Sequence, residues 1–302
     1  MTKLSDQGKI LLVLVAAFLV VHLFASKREY FDNQKKKFVV KSGDDVYDKF
    51  YASIYDDLVG NPAREQFEII EIVRTTSPGR KSLVLDVGSG TGSHVKALNG
   101  KGIPTVGIDK SSAMVEKART KCPECKFQRA DALAAMTFSP NTFSHIVCLY
   151  FTIYYIQDKL TFFKNCYTWL KPGGYLVLHL VNRDKFDPVI PAASPFYLVS
   201  PQKYAKERIT KSSVKFDTFQ YKSQLRLDKA KDKATFEETT TDDKTGNVRK
   251  NIHNFYMETQ KHILSLAKNV GFILRGKIDM VSVQYEYQYL YILYKEGVRT
   301  LQ

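Results

Sequence analysis

Three glycines and an aspartate follow a short apolar run in the first third of the chain. After the run Leu83–Leu85 they stand at alternate positions, as Asp86, Gly88, Gly90 and Gly92. Glycine adopts positive φ angles without a Cβ penalty, so the backbone N–H groups of such a loop can approach a ligand closely. Asp109 lies about 20 residues beyond the first glycine, where a carboxylate can accept hydrogen bonds from both ribose hydroxyls of a nucleoside. These residues predict a nucleoside site.

The elements that must position this site alternate between strand and helix patterns. Apolar runs at 105–109 and 145–150 predict buried strands, and helical patterns separate them. Such alternation predicts a parallel sheet with crossover helices. The glycine spacing, G-x-G-x-G, differs from the G-x-G-x-x-G of dinucleotide sites. A nicotinamide-dependent oxidoreductase is therefore disfavoured, although it stays an alternative.

Four segments resemble the motifs of class I S-adenosylmethionine-dependent methyltransferases. They are D-V-G-S-G-T-G at 86–92, G-I-D-K-S-S-A-M at 107–114, Asp131-Ala132, and L-K-P-G-G-Y-L at 170–176. The resemblance implies an α/β fold with a Rossmann-like, mostly parallel seven-stranded sheet and helices on both faces. It also implies S-adenosyl-L-methionine as the cofactor, with these binding residues: Asp86, Gly88, Gly90, Gly92, Asp109, Lys110, Asp131 and Ala132.

Within that family, the acid at the position of Asp109 binds the ribose, and the acid at the position of Asp131 accepts from the adenine amine. Two structural alternatives stay open. The glycine loop can be a strand-to-helix turn that binds nothing, and Asp109 can simply cap the helix that follows it.

The predicted methyltransferase domain spans residues 42–302 and contains an insert at 184–256. Alternating apolar and polar residues predict strands at 214–221, 223–227, 235–240 and 248–255. We expect an antiparallel β insert over the substrate side of the sheet, followed by a last helix at 256–270. Family members that act on small molecules often carry an insert at this place.

No general base can be assigned from the sequence alone. The catalytic candidates are His179, His253, Tyr154, Tyr155 and Arg183. His179 can equally be a hydrogen-bonded core histidine of strand five, and His253 can be a solvent-facing residue of the insert. Aromatic faces near the acceptor can stabilise a cationic methyl donor or an ammonium product.

The acceptor is predicted to be a small molecule, methylated on nitrogen or oxygen. The chain carries 45 Lys and Arg residues against 31 Asp and Glu residues, a formal charge of +14. That excess keeps RNA or protein as alternative acceptors, because a basic surface attracts polyanions. A non-catalytic nucleoside-binding module is a further alternative, since the motifs that carry the resemblance concern the cofactor rather than the acceptor. The oligomeric state is not predicted.

No metal site is predicted. Cys122 and Cys125 form a lone C-x-x-C, which lacks the second pair of ligands that a structural zinc site needs. We expect this motif to be a structural loop.

Residues 1–26 are predicted to form a single transmembrane helix. The run 10–25 is almost unbroken apolar, at the short end of the 17–25 or so residues that span a bilayer. A basic juxtamembrane linker follows at 27–41, and its lysines place the catalytic domain in the cytoplasm by the positive-inside rule. A cleaved signal peptide and a buried core helix are the alternatives.

Overall fold

The computed structural model describes residues 37–190, 202 and 205–297. Their main sheet has seven strands: β2 (Val84–Val87), β3 (Thr105–Asp109), β4 (Lys126–Arg129), β5 (Phe143–Cys148), β6 (Leu170–Val181), β11 (Phe272–Asp279) and β12 (Gln288–Lys295). They lie in the order β11-β12-β6-β5-β2-β3-β4. β12 is antiparallel to both neighbours and the other pairs are parallel. The predicted Rossmann-like α/β architecture is confirmed, with a mixed sheet.

Helices cover both faces of this sheet. They are α1 (Lys49–Val59), α2 (Pro62–Thr76), α3 (Ser93–Gly100), α4 (Ser112–Lys121), α5 (Thr152–Tyr155), α6 (Lys159–Trp169) and α7 (Gln260–Val270). Successive strand residues point to opposite faces. Leu85 therefore belongs to the core cluster that contains residues of α6 and α7, whereas Val84 belongs to the cluster with residues of α2 and α3. The carboxyl ends of β2, β3 and β5 are left free to carry the loops of a site.

A second sheet, the insert sheet, contains five strands. They are β1 (Phe38–Ser42), β7 (Lys211–Lys215), β8 (Phe219–Asp228), β9 (Lys233–Asp242) and β10 (Val248–Tyr256), in the order β1-β10-β9-β8-β7. β7 to β10 are antiparallel, as predicted, and β1 adds to the edge in parallel with β10. The last residues of the predicted linker, Phe38-Val39-Val40-Lys41, are thus a strand, which suits their apolar and β-branched side chains.

The strand predicted at 214–221 and the predicted start of the last helix are wrong. The strand predicted at 214–221 is divided by a turn, in which the Phe216 N–H donates to the Phe219 carbonyl at 2.9 Å. The last helix begins at Gln260 rather than at 256, because the Thr259 hydroxyl caps it by accepting from the His262 N–H at 3.2 Å. In both places a local hydrogen bond interrupts the regular pattern, through the backbone at Phe216 and through a side-chain cap at Thr259.

The C-x-x-C motif follows α4 and closes a disulfide between Cys122 and Cys125. Glu124 lies beside the two sulfurs, but sulfurs in a disulfide are not the thiolates that bind metal ions. The predicted transmembrane helix, residues 1–26, lies outside the described residues. Among those that are described, none of the helices combines the length and the apolar composition that a bilayer-spanning segment needs.

Candidate functional site

A cavity of about 1400 Å³ lies at the carboxyl ends of β2, β3 and β5. Its walls come from the glycine loop, from α1 and from the insert strands β8, β9 and β10. Open α/β sheets bind ligands at this edge, where loops leave the strands. The cavity therefore places the predicted cofactor residues and parts of the insert around one space.

The glycine loop has the geometry that its sequence predicts at two positions. Gly88 and Gly90 have φ angles of +70° and +53° and line the cavity. A Cβ at Gly88 would lie 2.4 Å from the Thr152 side chain, so this backbone approaches its neighbour as only glycine allows. The Gly90 N–H donates to Asp109 Oδ2 at 3.0 Å. The loop and the end of β3 are thereby held together.

Gly92 serves packing instead. It is not among the described residues that line the cavity. Its φ is +83°, and an added Cβ would lie 2.5 Å from the ring of Phe127. The third glycine of the motif is therefore required by the contact between α3 and β4.

Asp109 ends β3 and faces the cavity. Besides the bond from Gly90, its Oδ1 accepts from the Ser111 N–H at 2.8 Å. Burial raises the pKa of this carboxyl, and the two N–H donors oppose that rise. The alternative role as a helix cap belongs to Ser111, whose hydroxyl accepts from the Met114 N–H at 3.1 Å. Asp109 is thus an oriented carboxylate at the cavity wall, with lone pairs left over for a ligand.

Lys110, Asp131 and Ala132 extend this wall. The Lys110 ammonium lies 3.6 Å from Asp131 Oδ2 and 2.9 Å from Asp44 Oδ2. Asp131 accepts from the Leu133 N–H at 2.9 Å, while Ala132 is buried. All three predicted residues line the cavity, on the same wall as Asp109.

Asp86 lies deep in the cavity, with 2% of its surface exposed. Its Oδ2 atom has no hydrogen-bond partner among the described residues. Burial raises the pKa of this carboxyl to about 6, against the opposing charge of His94. An unpaired buried carboxylate oxygen is costly unless a ligand satisfies it. Asp86 is therefore suited to accept a hydrogen bond from a cationic group of a ligand.

A buried polar network that was not anticipated lies beside Asp86. Glu68 of α2 is fully buried, with His94 Nε2 2.7 Å and Arg64 Nε 3.6 Å from its Oε2. Burial raises the pKa of Glu68, but Arg64 and His94 hold it below its usual range. Arg64 lines the cavity and stacks its guanidinium 4.3 Å from the centre of the Tyr150 ring. The network thus brings a buried cation to the cavity wall.

Three of the five catalytic candidates do not line the cavity: His179, Tyr154 and Arg183. His179 is the core histidine that the sequence left as an alternative, bonded to Gln288 Oε1 at 3.1 Å, and burial lowers its pKa to about 4. The Tyr154 hydroxyl accepts from the Val181 N–H at 2.8 Å. The Arg183 guanidinium pairs with Asp232 and donates to the Met257 carbonyl at 2.6 Å. All three stabilise the fold around the site.

The other two candidates, Tyr155 and His253, line the cavity and contact each other. His253 is 2% exposed, so the solvent-facing alternative is wrong, because β10 turns this residue towards α1 and α5. The Tyr155 hydroxyl lies 2.8 Å from His253 Nδ1, and His253 Nε2 lies 2.7 Å from Glu238 Oε2. A carboxylate only accepts, so Nε2 carries the proton and Nδ1 accepts from Tyr155. The three groups form a chain that can move a proton.

Glu238 is a buried residue of the site that the sequence does not single out. It lies on β9, directly across from Asn251 of β10, and His253 pairs with Phe236. The alternation of Arg249, Asn251, His253 and Phe255 along β10 was a signal for one functional face. The partner strand could not be aligned with it before the hairpin register was known.

Comparisons with known proteins point in one direction. Residues 84–174 match a family model described as a methyltransferase domain. A Saccharopolyspora spinosa protein, named dTDP-4-amino-2,3,4,6-tetradeoxy-D-glucose N,N-dimethyltransferase, is 33% identical over 140 residues, covering 44% of this chain and 55% of the relative. The Zea mays phosphoethanolamine N-methyltransferase 1 is 38% identical over 106 residues, covering 33% of this chain and 20% of the relative. The chain thus spans little more than half the length of the first relative and a fifth of the second.

Solved structures agree at the level of the fold. An S-adenosylmethionine-dependent methyltransferase from Clostridium acetobutylicum superposes with a TM-score of 0.62 at 18% identity, covering 82% of this chain and 98% of that one. The CcbJ methyltransferase from Streptomyces caelestis has a TM-score of 0.63 at 16% identity, with 84% and 98% coverage. The fold is therefore the one that S-adenosylmethionine-dependent methyltransferases use. The family match covers the segment that carries all the predicted cofactor residues.

Proposed function

We propose that this chain is an S-adenosylmethionine-dependent methyltransferase that methylates a nitrogen or oxygen atom of a small molecule. One observation carries the proposal. A single cavity joins the glycine loop and Asp109 to the buried chain of Tyr155, His253 and Glu238. Methyl transfer needs a donor and an acceptor in one space from which water is largely excluded. In this cavity the glycine loop and Asp109 face the donor, and Tyr155, His253 and Glu238 face the acceptor.

The residues fit the parts of S-adenosylmethionine. In this proposal Asp109 accepts from the ribose hydroxyls, Asp131 accepts from the adenine amine, and the Ala132 N–H faces the ring. Gly88 and Gly90 let the loop backbone approach the cofactor closely, and Lys110 orients Asp131. The unpaired Oδ2 of Asp86 suits the ammonium group of the methionyl part. Arg64, buried and beside the cavity, suits its carboxylate.

When bound, S-adenosylmethionine supplies a methyl group on a positively charged sulfur. The protein must hold the acceptor atom roughly 3–3.5 Å from the methyl carbon, in line with the C–S bond that breaks. A hydroxyl or ammonium acceptor must also lose a proton. Burial raises the pKa of Tyr155 well above its ordinary value, so its phenol does not ionise at rest. In this proposal Tyr155 takes the acceptor's proton as its own passes to His253 Nδ1, and Glu238 stabilises the imidazolium.

RNA is a less suitable acceptor than a small molecule. The cavity is lined by eleven Asp and Glu residues and by four Lys and Arg residues. A phosphate backbone binds to clustered Lys and Arg side chains and is repelled by carboxylates. The basic excess of the chain thus lies elsewhere than in the proposed site.

The remaining proposals rest on the sequence. We propose a methyltransferase domain at 42–302 with its insert at 184–256, a transmembrane anchor at 1–26, a basic linker at 27–41, and a cytoplasmic orientation. Alkaline extraction of membranes tests the anchor. The full chain should stay with the membranes, and its release would contradict the proposal.

Calorimetric titration with S-adenosylhomocysteine, the demethylated product, tests the cofactor site. We expect micromolar binding that falls about a hundredfold in Asp109→Ala, because a charged carboxylate loses its bonds to two hydroxyls. Asp279→Ala is the matched control. Asp279 accepts from the Val281 N–H at 3.0 Å, as Asp109 does from Ser111, yet it does not line the cavity. Absence of binding to the folded wild type would refute the methyltransferase proposal.

A further inference from the structure

Aromatic rings surround the acceptor end of the cavity. We define the aromatic chamber as the six lining residues Tyr47, Tyr51, Tyr155, Phe236, His253 and Phe255. The Tyr47 ring lies 5.5 to 5.8 Å, between centroids, from the rings of Tyr51, Tyr155 and His253. These contacts join the rings into one cluster on the cavity wall, to which Tyr47, α1, α5 and the insert sheet contribute.

The chamber adjoins the proposed cofactor site. Tyr51 contacts Tyr55, with ring centroids 5.9 Å apart. The Tyr55 ring in turn lies 3.7 Å from the position that a Cβ would take at Gly90. Phe255 also contacts Phe151, which follows β5 and lines the cavity, at 5.6 Å. A group held in the chamber therefore lies next to the loop where the methyl donor is proposed to bind.

Glu238 places a negative charge behind these rings. It is 1% exposed and receives four hydrogen bonds: from Tyr51, Tyr221, Asn251 and His253. Burial raises its pKa, but the His253 ring and the Tyr221 and Asn251 bonds hold it below the usual range, so the carboxylate is ionised. The donors orient the charge without cancelling it. In a chamber of low dielectric, this charge acts over several ångströms.

No described Lys or Arg side chain neutralises Glu238 from the neighbouring strands, and the basic group in contact with it is the His253 ring, 2.7 Å from Oε2. Arg249 lies two residues from Asn251 on β10, but its guanidinium is paired with Asp48 Oδ2 at 2.8 Å. Lys250 and Arg226 are paired with Glu237, on the other face of β9. The lining as a whole is acidic, although the chain carries +14. The chamber therefore favours a positively charged occupant, which aromatic faces also attract.

We propose that the methyl acceptor is a cationic amine whose ammonium group binds in the aromatic chamber, against the charge of Glu238, and passes a proton to the Tyr155–His253 pair so that its nitrogen lone pair can take the methyl group as the C–S bond of the donor breaks. This inference rests on the proposed function and narrows its nitrogen-or-oxygen alternative to nitrogen. It also disfavours an acceptor with a phosphate near the amine, because the same carboxylate repels an anion.

A pair of probes of equal shape tests the inference without knowledge of the natural acceptor. Choline carries a quaternary ammonium, and 3,3-dimethylbutan-1-ol is its neutral isostere. Both are titrated by calorimetry into the full chain saturated with S-adenosylhomocysteine, so that the sulfonium position is already occupied. We expect choline to bind about tenfold more tightly than the neutral isostere. Phosphocholine should bind more weakly than choline.

Variants of two adjacent carboxylates locate the effect. Glu238→Gln should reduce the affinity for choline to that of the neutral isostere. Glu237→Gln, on the opposite face of the same strand, should leave the preference for choline intact. If Glu238→Gln does not fold, the wild-type comparison of the two probes decides alone.

The remaining outcomes overturn the inference. Equal binding of choline and the neutral isostere, or no binding of choline to the saturated protein, refutes a cationic acceptor and leaves the methyltransferase proposal standing. A folded protein that does not bind S-adenosylhomocysteine refutes the proposed function itself, together with the inference that depends on it.

Discussion

The two ends of the cavity are built in different ways. At the cofactor end, the contacts are between residues near in sequence, such as Gly90 and Asp109, 19 positions apart. At the acceptor end, they join distant segments: the Tyr51 hydroxyl donates to Glu238, 187 positions away. The first end consists of loops that follow successive parallel strands. The second forms only when Tyr47, α1, α5 and the insert sheet come together.

This difference gives a physical reason why the cofactor end can keep a common arrangement while the acceptor end is specific to this chain. Loops at the ends of parallel strands keep their positions because a buried sheet holds them. A hairpin insert can change its side chains without disturbing that sheet. In the proposed function, the acceptor end is therefore where Glu238 and the rings around it select the acceptor.

The largest expected effect belongs to the glycine loop. Gly88→Ala should lower the free energy of unfolding by about 3 kcal/mol, because φ is +70° and the new Cβ meets Thr152. It should also weaken S-adenosylhomocysteine binding about a hundredfold, or about 2.8 kcal/mol. Gly43→Ala is the control, since φ is +59° with open space, and should cost only about 1–2 kcal/mol. Urea unfolding and calorimetry measure both. Equal losses in the two variants would show that the close approach at Gly88 is unimportant.

Asp86 should show opposite effects on stability and binding. Its pKa is about 6 when folded against 3.8 in the unfolded chain, so between these values the folded state holds more protons. The stabilisation from this proton is complete below pH 3.8 and is lost as the pH rises through 6. Asp86→Asn should therefore stabilise the ligand-free protein above pH 6, by at most about 3 kcal/mol.

The same variant should bind S-adenosylhomocysteine about tenfold more weakly, since its ammonium loses a charged partner. Wild-type binding should likewise weaken as the pH falls through 6. Thermal unfolding and calorimetry across that range measure both effects. If the variant loses stability above pH 6, or binds S-adenosylhomocysteine as the wild type does, the proposed role of Asp86 in cofactor binding is wrong.

The smallest expected effect lies at the acceptor end. Tyr221→Phe removes the 2.6 Å bond to Glu238 and should lower the free energy of unfolding by about 2 kcal/mol, as expected for a hydrogen bond to a charged group. S-adenosylhomocysteine binding should change less than about twofold, because the two ends are separate. Tyr287→Phe, on an exposed ring, should be neutral within about 0.5 kcal/mol. A large fall in cofactor binding in Tyr221→Phe would contradict the division of the cavity into two ends.

Much of the fold and the cofactor end could be predicted from the chain alone. Alternating strand and helix patterns predict the α/β sheet, and the positions of Asp86, Gly88, Gly90, Asp109 and Asp131 follow from their place at strand ends. These signals are local, because each depends on residues within one strand and the loop after it. The spacing of the glycines does not show that Gly92 also packs closely against Phe127, because a contact with another strand cannot be seen in the loop's own sequence.

The acceptor end was decided by the tertiary structure. From the sequence, His253 can be either a general base or a solvent-facing residue. The pairing of β9 with β10 places it across from Phe236 and beside Glu238. His179 and Arg183, equally plausible by residue type, lie outside the cavity. The sequence determined which residues could bind a nucleoside, since short stretches of chain position them. It could not determine which distant carboxylate and rings would meet, because strand register and helix packing arise only when the whole domain buries its core.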